Sequence, residues 1–399
     1  MARPTLELAD IFRHHGEKFR QHYPVSLQQQ RVMRAIEVCR TAVLGGHVDQ
    51  CGHCDYQQIS YNSCRNRHCP KCQAGARDRW VAARQADLLP ISYFHVVFTL
   101  PHQFAQLALQ NQKVIYDLLF QASAETLLTI AADPKHLGAH IGFFSVLHTW
   151  GQNLLLHPHV HCVVTGGGLS LDRRGWVSPR RPRFFVPVKV LSALFRRLFQ
   201  AAFWRAFDSG QLAFHGQLQP LRERAALTQL LAPIRHSKWV VYAKPPFGGP
   251  QRVLAYLGRY THRIAISNQR LQHWDAQAGL VTFQWKNYRQ QGAEAVRAMT
   301  LGVDEFIRRF LLHTVPPGFQ RIRYYGLLAN RARAAKLGLC RQLLADTQLL
   351  PAVQLLAAPA APPPASVPLT FRCPCCKVGV LRPIQTLFPI PWSRYPDSS

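Results

Sequence analysis

Apolar positions along the chain fall into a few helical stretches separated by short β-type runs. Residues 5–45 read as helical. Within them Ser26 can cap the run LQQQRVMRAIEVCRTAVLG, whose Val32, Ile36, Val38 and Val43 recur at helical spacing before Gly45-Gly46 closes it. Residues 46–73 have no periodicity and are rich in Cys, His and Asn, and a basic helix over 74–89 follows. ISYFHVVFTLP (91–101) predicts a strand ended by proline, then residues 102–132 a helix. Two more strands are predicted at IGFFSVLHTW (141–150) and HPHVHCVVTGG (157–167). A loop containing PRRPRF (179–184) precedes a helix over 188–208. Strands return at 238–246 and 279–288, with a helix over 249–262 between them and another over 303–315.

At least five strands separated by helices, without tight βα alternation, predict an α+β fold: an antiparallel or mixed sheet flanked by helices, behind a helical and cysteine-rich module. Residues 351–370, PAVQLLAAPAAPPPASVPLT, form a Pro/Ala linker unsuited to a helix or sheet interior. Four segments are expected: a helical and zinc-binding module over 1–90, the main α+β domain over 91–335, a helix and linker over 336–370, and a short cysteine-containing tail over 371–399.

Composition adds a partner to this outline. The 399 residues carry 48 Lys+Arg against 20 Asp+Glu, a net charge of +28, and 38 of the basic residues are Arg. Such an excess calls for a polyanion, and arginine favours bidentate contact with phosphate, so nucleic acid is the expected partner. No window reaches the run of about 18 apolar residues that a membrane span needs, and the N-terminus has no signal-type apolar core, so a cytoplasmic protein is expected. Eleven cysteines are many for a reducing compartment unless metal holds them.

Cys51-x2-Cys54 and Cys69-x2-Cys72 match the spacing of one four-thiolate zinc site, because each pair is a tight turn presenting two sulfurs to a tetrahedral ion. Four thiolates leave no position for chemistry, so this zinc is structural. Cys64, His47, His53 and His68 remain over: they could replace a ligand or support a second ion, but are expected rather to support or pack around the site. Arg65, Arg67 and Lys71 make the module a candidate DNA-docking element. Cys373-Pro374-Cys375-Cys376 is half of a zinc ribbon with no second pair after it, a remnant or a partner for Cys340.

In the run HPHVH, alternation places His159 and His161 on one face of a strand, with Val160 and Cys162 on the other. Two imidazoles on a rigid strand make a platform for a divalent ion, Zn²⁺, Mn²⁺ or Mg²⁺ with phosphate completing the shell, and Gln152 is a plausible third donor. Tyr256 and Tyr260 lie four apart in VLAYLGRYTHRIAI, hence on one helix face, with Arg259 and Arg263 beside them. They either pack on the sheet or act as nucleophiles. A phenol with a pKa near about 10 needs help at neutral pH. An ion held by the histidines would polarise a phosphate for attack, releasing a 3′-hydroxyl and leaving a 5′-phosphotyrosine that can be reversed onto a new strand. Gly166-Gly167-Gly168 reads as a turn, or as a place for a DNA backbone to approach, and Trp150, Trp176, Tyr242 and Trp285 as core residues or base-stacking platforms.

Together, CGHC…SCRNRHCPKC, HPHVH and AYLGRYTHR, in this order, resemble the two-tyrosine rolling-circle transposases of the insertion-sequence 91 family, within the His-hydrophobic-His (HUH) single-strand endonucleases. The resemblance covers about residues 30–335. It implies an antiparallel-sheet nuclease domain, catalytic Mg²⁺ or Mn²⁺ on His159, His161 and Gln152, nucleophiles Tyr256 and Tyr260, structural Zn²⁺ at the N-terminal cysteines, and single-stranded DNA at mobile-element ends as substrate. A plasmid relaxase or rolling-circle replication initiator, and a non-catalytic zinc-dependent DNA-binding protein, are the competing readings.

Overall fold

Pro24 separates the first two helices. The residue before a proline is pushed out of the α region, and Tyr23 is extended (φ −123°, ψ 141°), so the helical region expected over 5–45 is divided into α1 (Leu8–His22) and α2 (Leu27–Glu37), the second stopping short of the expected close at Gly45-Gly46. Ser26 caps α2 as expected, its Oγ accepting from the Gln29 backbone N–H while the Gln29 side chain accepts from the Ser26 N–H. The computed structural model describes residues 6–85, 87–181, 186–244, 258, 264–287, 290, 295–346 and 372–391.

The chain forms two units that are interleaved along the sequence rather than consecutive. The first gathers residues 1–76, 262–314 and 359–399, the second residues 77–261 and 315–358. The change from one to the other falls inside helix α3 (Pro70–Gln85).

In the first unit, β1 (Gly46–Cys51) pairs antiparallel with β2 (Gln57–Tyr61). A second antiparallel sheet is a meander of β10 (Leu271–Asp275), β11 (Leu280–Lys286) and β12 (Val296–Gly302), which runs straight into helix α8 (Val303–Leu311). Helix α8 buries Phe306 against Phe283 and Phe310 edge-on against Phe12 of α1, with ring centroids 5.8 and 5.4 Å apart. The unit's third antiparallel element is β14 (Leu381–Leu387), from the C-terminal tail, which pairs with the other edge of β1.

The second unit is built on an antiparallel sheet in the order β13-β5-β6-β3-β9. Its strands are β3 (Tyr93–Thr99), β5 (Gly142–Trp150), β6 (Leu156–Thr165), β9 (Val241–Lys244) and β13 (Ile322–Gly326). A small sheet of β4 (Ala139–His140), β7 (Gly168–Ser170) and β8 (Trp176–Val177) flanks it. Phe94, Val96 and Phe98, Phe143 and Leu147, and Val160, Cys162 and Val164 project from one face of the main sheet. They pack with residues of α4 (Ala105–Gln110), α5 (Gln112–Ala132), α6 (Val188–Asp208) and α7 (Arg224–Leu231). The expected helix over 102–132 breaks between α4 and α5 at Asn111, whose side chain leaves the helix pattern to bridge both the N–H and the carbonyl of Ala213.

Among the described residues, α5 is the one helix long and apolar enough to cross a membrane by length and composition. Asp117 and Glu125 interrupt its run, so a strictly apolar window misses it. Its Ile115, Leu119, Phe120, Leu127 and Ile130 are buried in the core described above. On the opposite face of the sheet, Phe144, Val146, Val163 and Tyr93 pack with Leu337, Cys340 and Leu344 of α9 (Arg333–Asp346), which places Cys340 in a hydrophobic cluster.

Candidate metal centres and active site

The side chains of His159 and His161 lie on the sheet face away from α5 and α6, as alternation requires, with Val160 and Cys162 in the helix-covered core. Register supplies a third imidazole. His148 of β5 is directly opposite His159, and the ligand nitrogens of His148, His159 and His161 all lie within 4.8 Å of one another. Trp150, 6% exposed, stacks on the His148 ring at 4.7 Å.

The hydrogen bonds around these rings bear on their tautomers. Nδ1 of His159 is 2.6 Å from the His157 carbonyl oxygen, so it carries the proton and donates, leaving the lone pair on Nε2. Nδ1 of His161 is 2.8 Å from Nε2 of His95, with the two ring planes within 4°. Burial, with the Lys244 charge, holds His95 down to about 3, so it is neutral and able to accept from His161. That arrangement likewise puts the lone pair of His161 on Nε2. Three imidazoles, which ligate in their neutral form, suit Zn²⁺, Mn²⁺ and neighbouring first-row ions, and three protein ligands leave coordination positions open, as catalytic metal sites require. The donor set therefore fits a catalytic divalent ion.

His148 is the residue that sequence alone did not identify. Gln152, the expected third donor, is half-buried in the turn between β5 and β6. Tyr256, Tyr260, Arg259 and Arg263 lie outside the described residues. Gly258, between the two tyrosines, is helical and close to α3: a Cβ there would meet Val81 Cγ2 at 3.0 Å and Arg77 Cδ at 3.4 Å.

The two expected cysteine pairs are not brought together in one group. Cys69 and Cys72 converge with Cys39 and Cys64, while Cys51 and Cys54 converge with Cys373 and Cys376. In each group the four sulfurs lie within 4.8 Å of one another. Local spacing pairs the nearest Cys-x2-Cys turns, but β2 lies between them and carries the turns apart. In the first group Cys39 follows α2, and Cys69 and Cys72 bracket the start of α3, with Pro70 as its first residue. The Cys72 sulfur is 3.6 Å from those of Cys39 and Cys64, so Cys64 is in the cluster rather than packing around it. Helix α3 adds its N-terminal dipole, which favours thiolate.

Around this cluster Arg65 is exposed, with a left-handed backbone (φ 52°), and Arg67 is half-buried. Lys71 is engaged internally: its Nζ pairs with the Glu7 carboxylate and donates to the Cys39 carbonyl at 3.3 Å, leaving the side chain 14% exposed. That removes it from the open phosphate contacts expected of it.

The glycine triplet is a packing feature. A Cβ on Gly166 would meet the Ser92 carbonyl oxygen at 2.6 Å, one on Gly167 the Val177 carbonyl at 2.5 Å, and one on Gly168 the His140 carbonyl at 2.3 Å. Protein backbone already occupies the space a DNA strand would need. Of the four candidate stacking aromatics, Trp150 and Trp176 are buried and Trp285 is half-buried, whereas Tyr242 is 51% exposed. Tyr242 sits on the histidine face, since Val97 is registered with both Tyr242 and His161.

Residues 142–336, which contain the histidine face, match a family described as "Putative transposase", and residues 11–100, which contain Cys39, Cys64, Cys69 and Cys72, match the IS91-type "Transposase zinc-binding domain". The chain is 55% identical over 390 residues to "Putative transposase y4qJ" of Sinorhizobium fredii, covering 96% of each. The chain belongs to the IS91 family of transposases. It is also 30% identical over 347 residues to the "Transposase for insertion sequence element IS801" of Pseudomonas savastanoi pv. phaseolicola, covering 85% of this chain and 79% of that one. No solved structure matches it. The transposase therefore carries a zinc-binding domain whose cysteine clusters support structural zinc, and it is a DNA-processing enzyme.

Proposed function

We propose that the histidine face is the active centre of a transposase that nicks and rejoins single-stranded DNA at the ends of its element, in a rolling-circle manner, through a 5′-phosphotyrosine. The observation that carries this reading is the convergence of His148, His159 and His161 within 4.8 Å on one face of the sheet. When bound there, Mg²⁺ or Mn²⁺ supplies Lewis-acid polarisation of the scissile phosphate. The chain's own residues do the rest. His95 and the His157 carbonyl hold the imidazole tautomers, and Gln152 stands near the turn as a further donor. Tyr256 or Tyr260 attacks phosphorus, a P–O bond forms to the phenol oxygen, and the bond to the 3′-oxygen breaks, freeing a 3′-hydroxyl. Reversal onto another 3′-hydroxyl joins strands without an external energy source, because one phosphodiester replaces another. Arg65, Arg67, Arg259 and Arg263 are proposed phosphate contacts, and Tyr242 a platform for one base.

Incubation of the protein with an end-derived single-stranded oligonucleotide and Mn²⁺ or Mg²⁺ is expected to yield a covalent protein–DNA adduct. Tyr256→Phe/Tyr260→Phe should still bind the oligonucleotide and form none. Cleavage by that double variant would show that another group is the nucleophile. Equal activity on duplex ends alone would reject the single-strand assignment.

A further inference from the structure

The C-terminal tail folds back on the N-terminal zinc module. Residues 381–387 pair with β1 along its length, from Gly46 opposite Leu387 to Cys51 opposite Leu381. At the end of this ladder, two Cys-x2-Cys turns face each other. The Cys51 sulfur is 3.7 Å from that of Cys376, and the Cys54 sulfur is 3.6 Å from that of Cys373. A tetrahedral ion with metal–sulfur bonds of about 2.3 Å has sulfur–sulfur edges of about 3.8 Å. A disulfide would bring a pair to about 2.05 Å. The separations fit the first geometry.

The two turns are also built alike. Each is closed by a backbone bond from its first cysteine, Cys51 N–H to the Tyr56 carbonyl (2.9 Å) and Cys373 N–H to the Gly379 carbonyl (2.8 Å). The residue after each second cysteine is left-handed, Asp55 at φ 53° and Lys377 at φ 59°. In each, a backbone N–H donates to a cysteine sulfur: His53 to Cys51 and Gly379 to Cys376, both at 3.3 Å. Such donors stabilise thiolate and orient it, the usual outer support of a metal–sulfur centre. Gly379 permits the close approach, because a Cβ there would fall 2.4 Å from the Cys51 sulfur. Cys375 is exposed and outside the group.

We propose that Cys51, Cys54, Cys373 and Cys376 bind a second structural Zn²⁺, separate from that of Cys39, Cys64, Cys69 and Cys72, and that this ion fastens the C-terminal tail to the N-terminal module. The site is closed by four thiolates, so its role is to hold the ladder between residues 381–387 and β1. It draws half its ligands from beyond the Pro/Ala linker, outside both matched domains.

Metal content of the purified full-length protein, by plasma mass spectrometry, tests this directly. Measured in a His148→Ala/His159→Ala/His161→Ala background, so that zinc on the histidine face is not counted, two zinc ions per chain are expected, falling to one when Cys373→Ser/Cys376→Ser is added and to one when Cys64→Ser/Cys72→Ser is added. One zinc in that background, iron in place of the second zinc, or two zincs retained when Cys373→Ser/Cys376→Ser is added would overturn the proposal. A protease site placed between Ala360 and Ala361 gives a readout that needs no ligand substitution. After cleavage the tail peptide should co-elute with the rest of the zinc-loaded protein and dissociate when a chelator removes zinc. A tail that separates before chelation, or stays bound after complete zinc removal, would reject the fastening role. Gly379→Ala, which keeps every ligand, should release one of the two cysteine-held zincs at least about tenfold more readily to a chelator, in line with outer-support losses. Release at the wild-type rate counts against the geometry.

Discussion

Nε2 of His95 lies 2.8 Å from Nδ1 of His161, joining β3 to β6 through two rings in nearly one plane. Loss of such a partner from a metal-bound histidine typically costs about 10–100-fold in metal affinity. His95→Leu is expected to weaken Mn²⁺ binding by that order, measured by calorimetry, while saturating Mn²⁺ restores most adduct formation. His95→Gln, which keeps an acceptor, should recover part of the affinity. Unchanged affinity in His95→Leu would mean that the ring contact does not orient His161.

His148 and His157 separate the register argument from the sequence motif. His148 is buried and converges with the strand pair, whereas the exposed His157 side chain lies outside that group: its carbonyl meets His159 Nδ1, and its ring lies beside the His159 ring with centroids 5.2 Å apart. His148→Ala should abolish measurable Mn²⁺ binding and adduct formation. His157→Ala should change both by less than about threefold, since it removes an exposed ring that is not a ligand and keeps the backbone carbonyl that accepts from His159. The reverse order of sensitivity would refute the three-histidine centre.

Gly168→Ala drives a methyl to 2.3 Å from the His140 carbonyl oxygen in the β4–β7 ladder. Forcing such an overlap costs about 1–3 kcal/mol. A lowered urea midpoint is expected, with oligonucleotide affinity of the remaining folded protein unchanged. A variant of normal stability that binds DNA poorly would restore the idea that the glycines admit a DNA backbone.

Glu305 lies in the first turn of α8 and accepts from Arg308 and Arg309 at 2.6 Å each. These hydrogen bonds, Arg308 first, lower its carboxyl from 4.5 to about 2. Because the folded value is the lower one, the stabilisation is complete above pH 4.5 and fades as pH falls towards 2. Glu305→Gln should lower stability at pH 7 by less than about 1 kcal/mol, the pair being partly exposed. The gap between variant and wild type should stay constant from pH 7 to 5 and close below 4.5. A gap that widens in acid would contradict the ion pair.

Four strands of the five-stranded sheet, β3, β5, β6 and β9, were legible as short apolar runs bounded by Pro or Gly, whereas β13 was not among the expected strands, and α6 appears at the expected residues, 188–208. The histidine pair was legible because alternation along one strand is local. His148 was not, since its place opposite His159 depends on the register between β5 and β6, which spacing in one strand does not encode. The cysteines show the same limit. Spacing identified the turns at Cys51–Cys54 and Cys69–Cys72, but their partners are Cys373 and Cys376 in one case and Cys39 and Cys64 in the other. Nothing near β1 in the sequence announces that its second neighbour is residues 381–387. Lys71 was misjudged because its partner Glu7, the N-cap of α1, is remote in sequence.

The pairing of β1 with residues 381–387 has a consequence for synthesis. The ribosome makes β1 early, yet that strand waits for more than three hundred further residues before its outer edge is covered. A message cut short by a frameshift or a nested insertion would yield a chain with that edge bare, open to self-association. Completeness of translation is thereby written into whether the amino-terminal sheet can close.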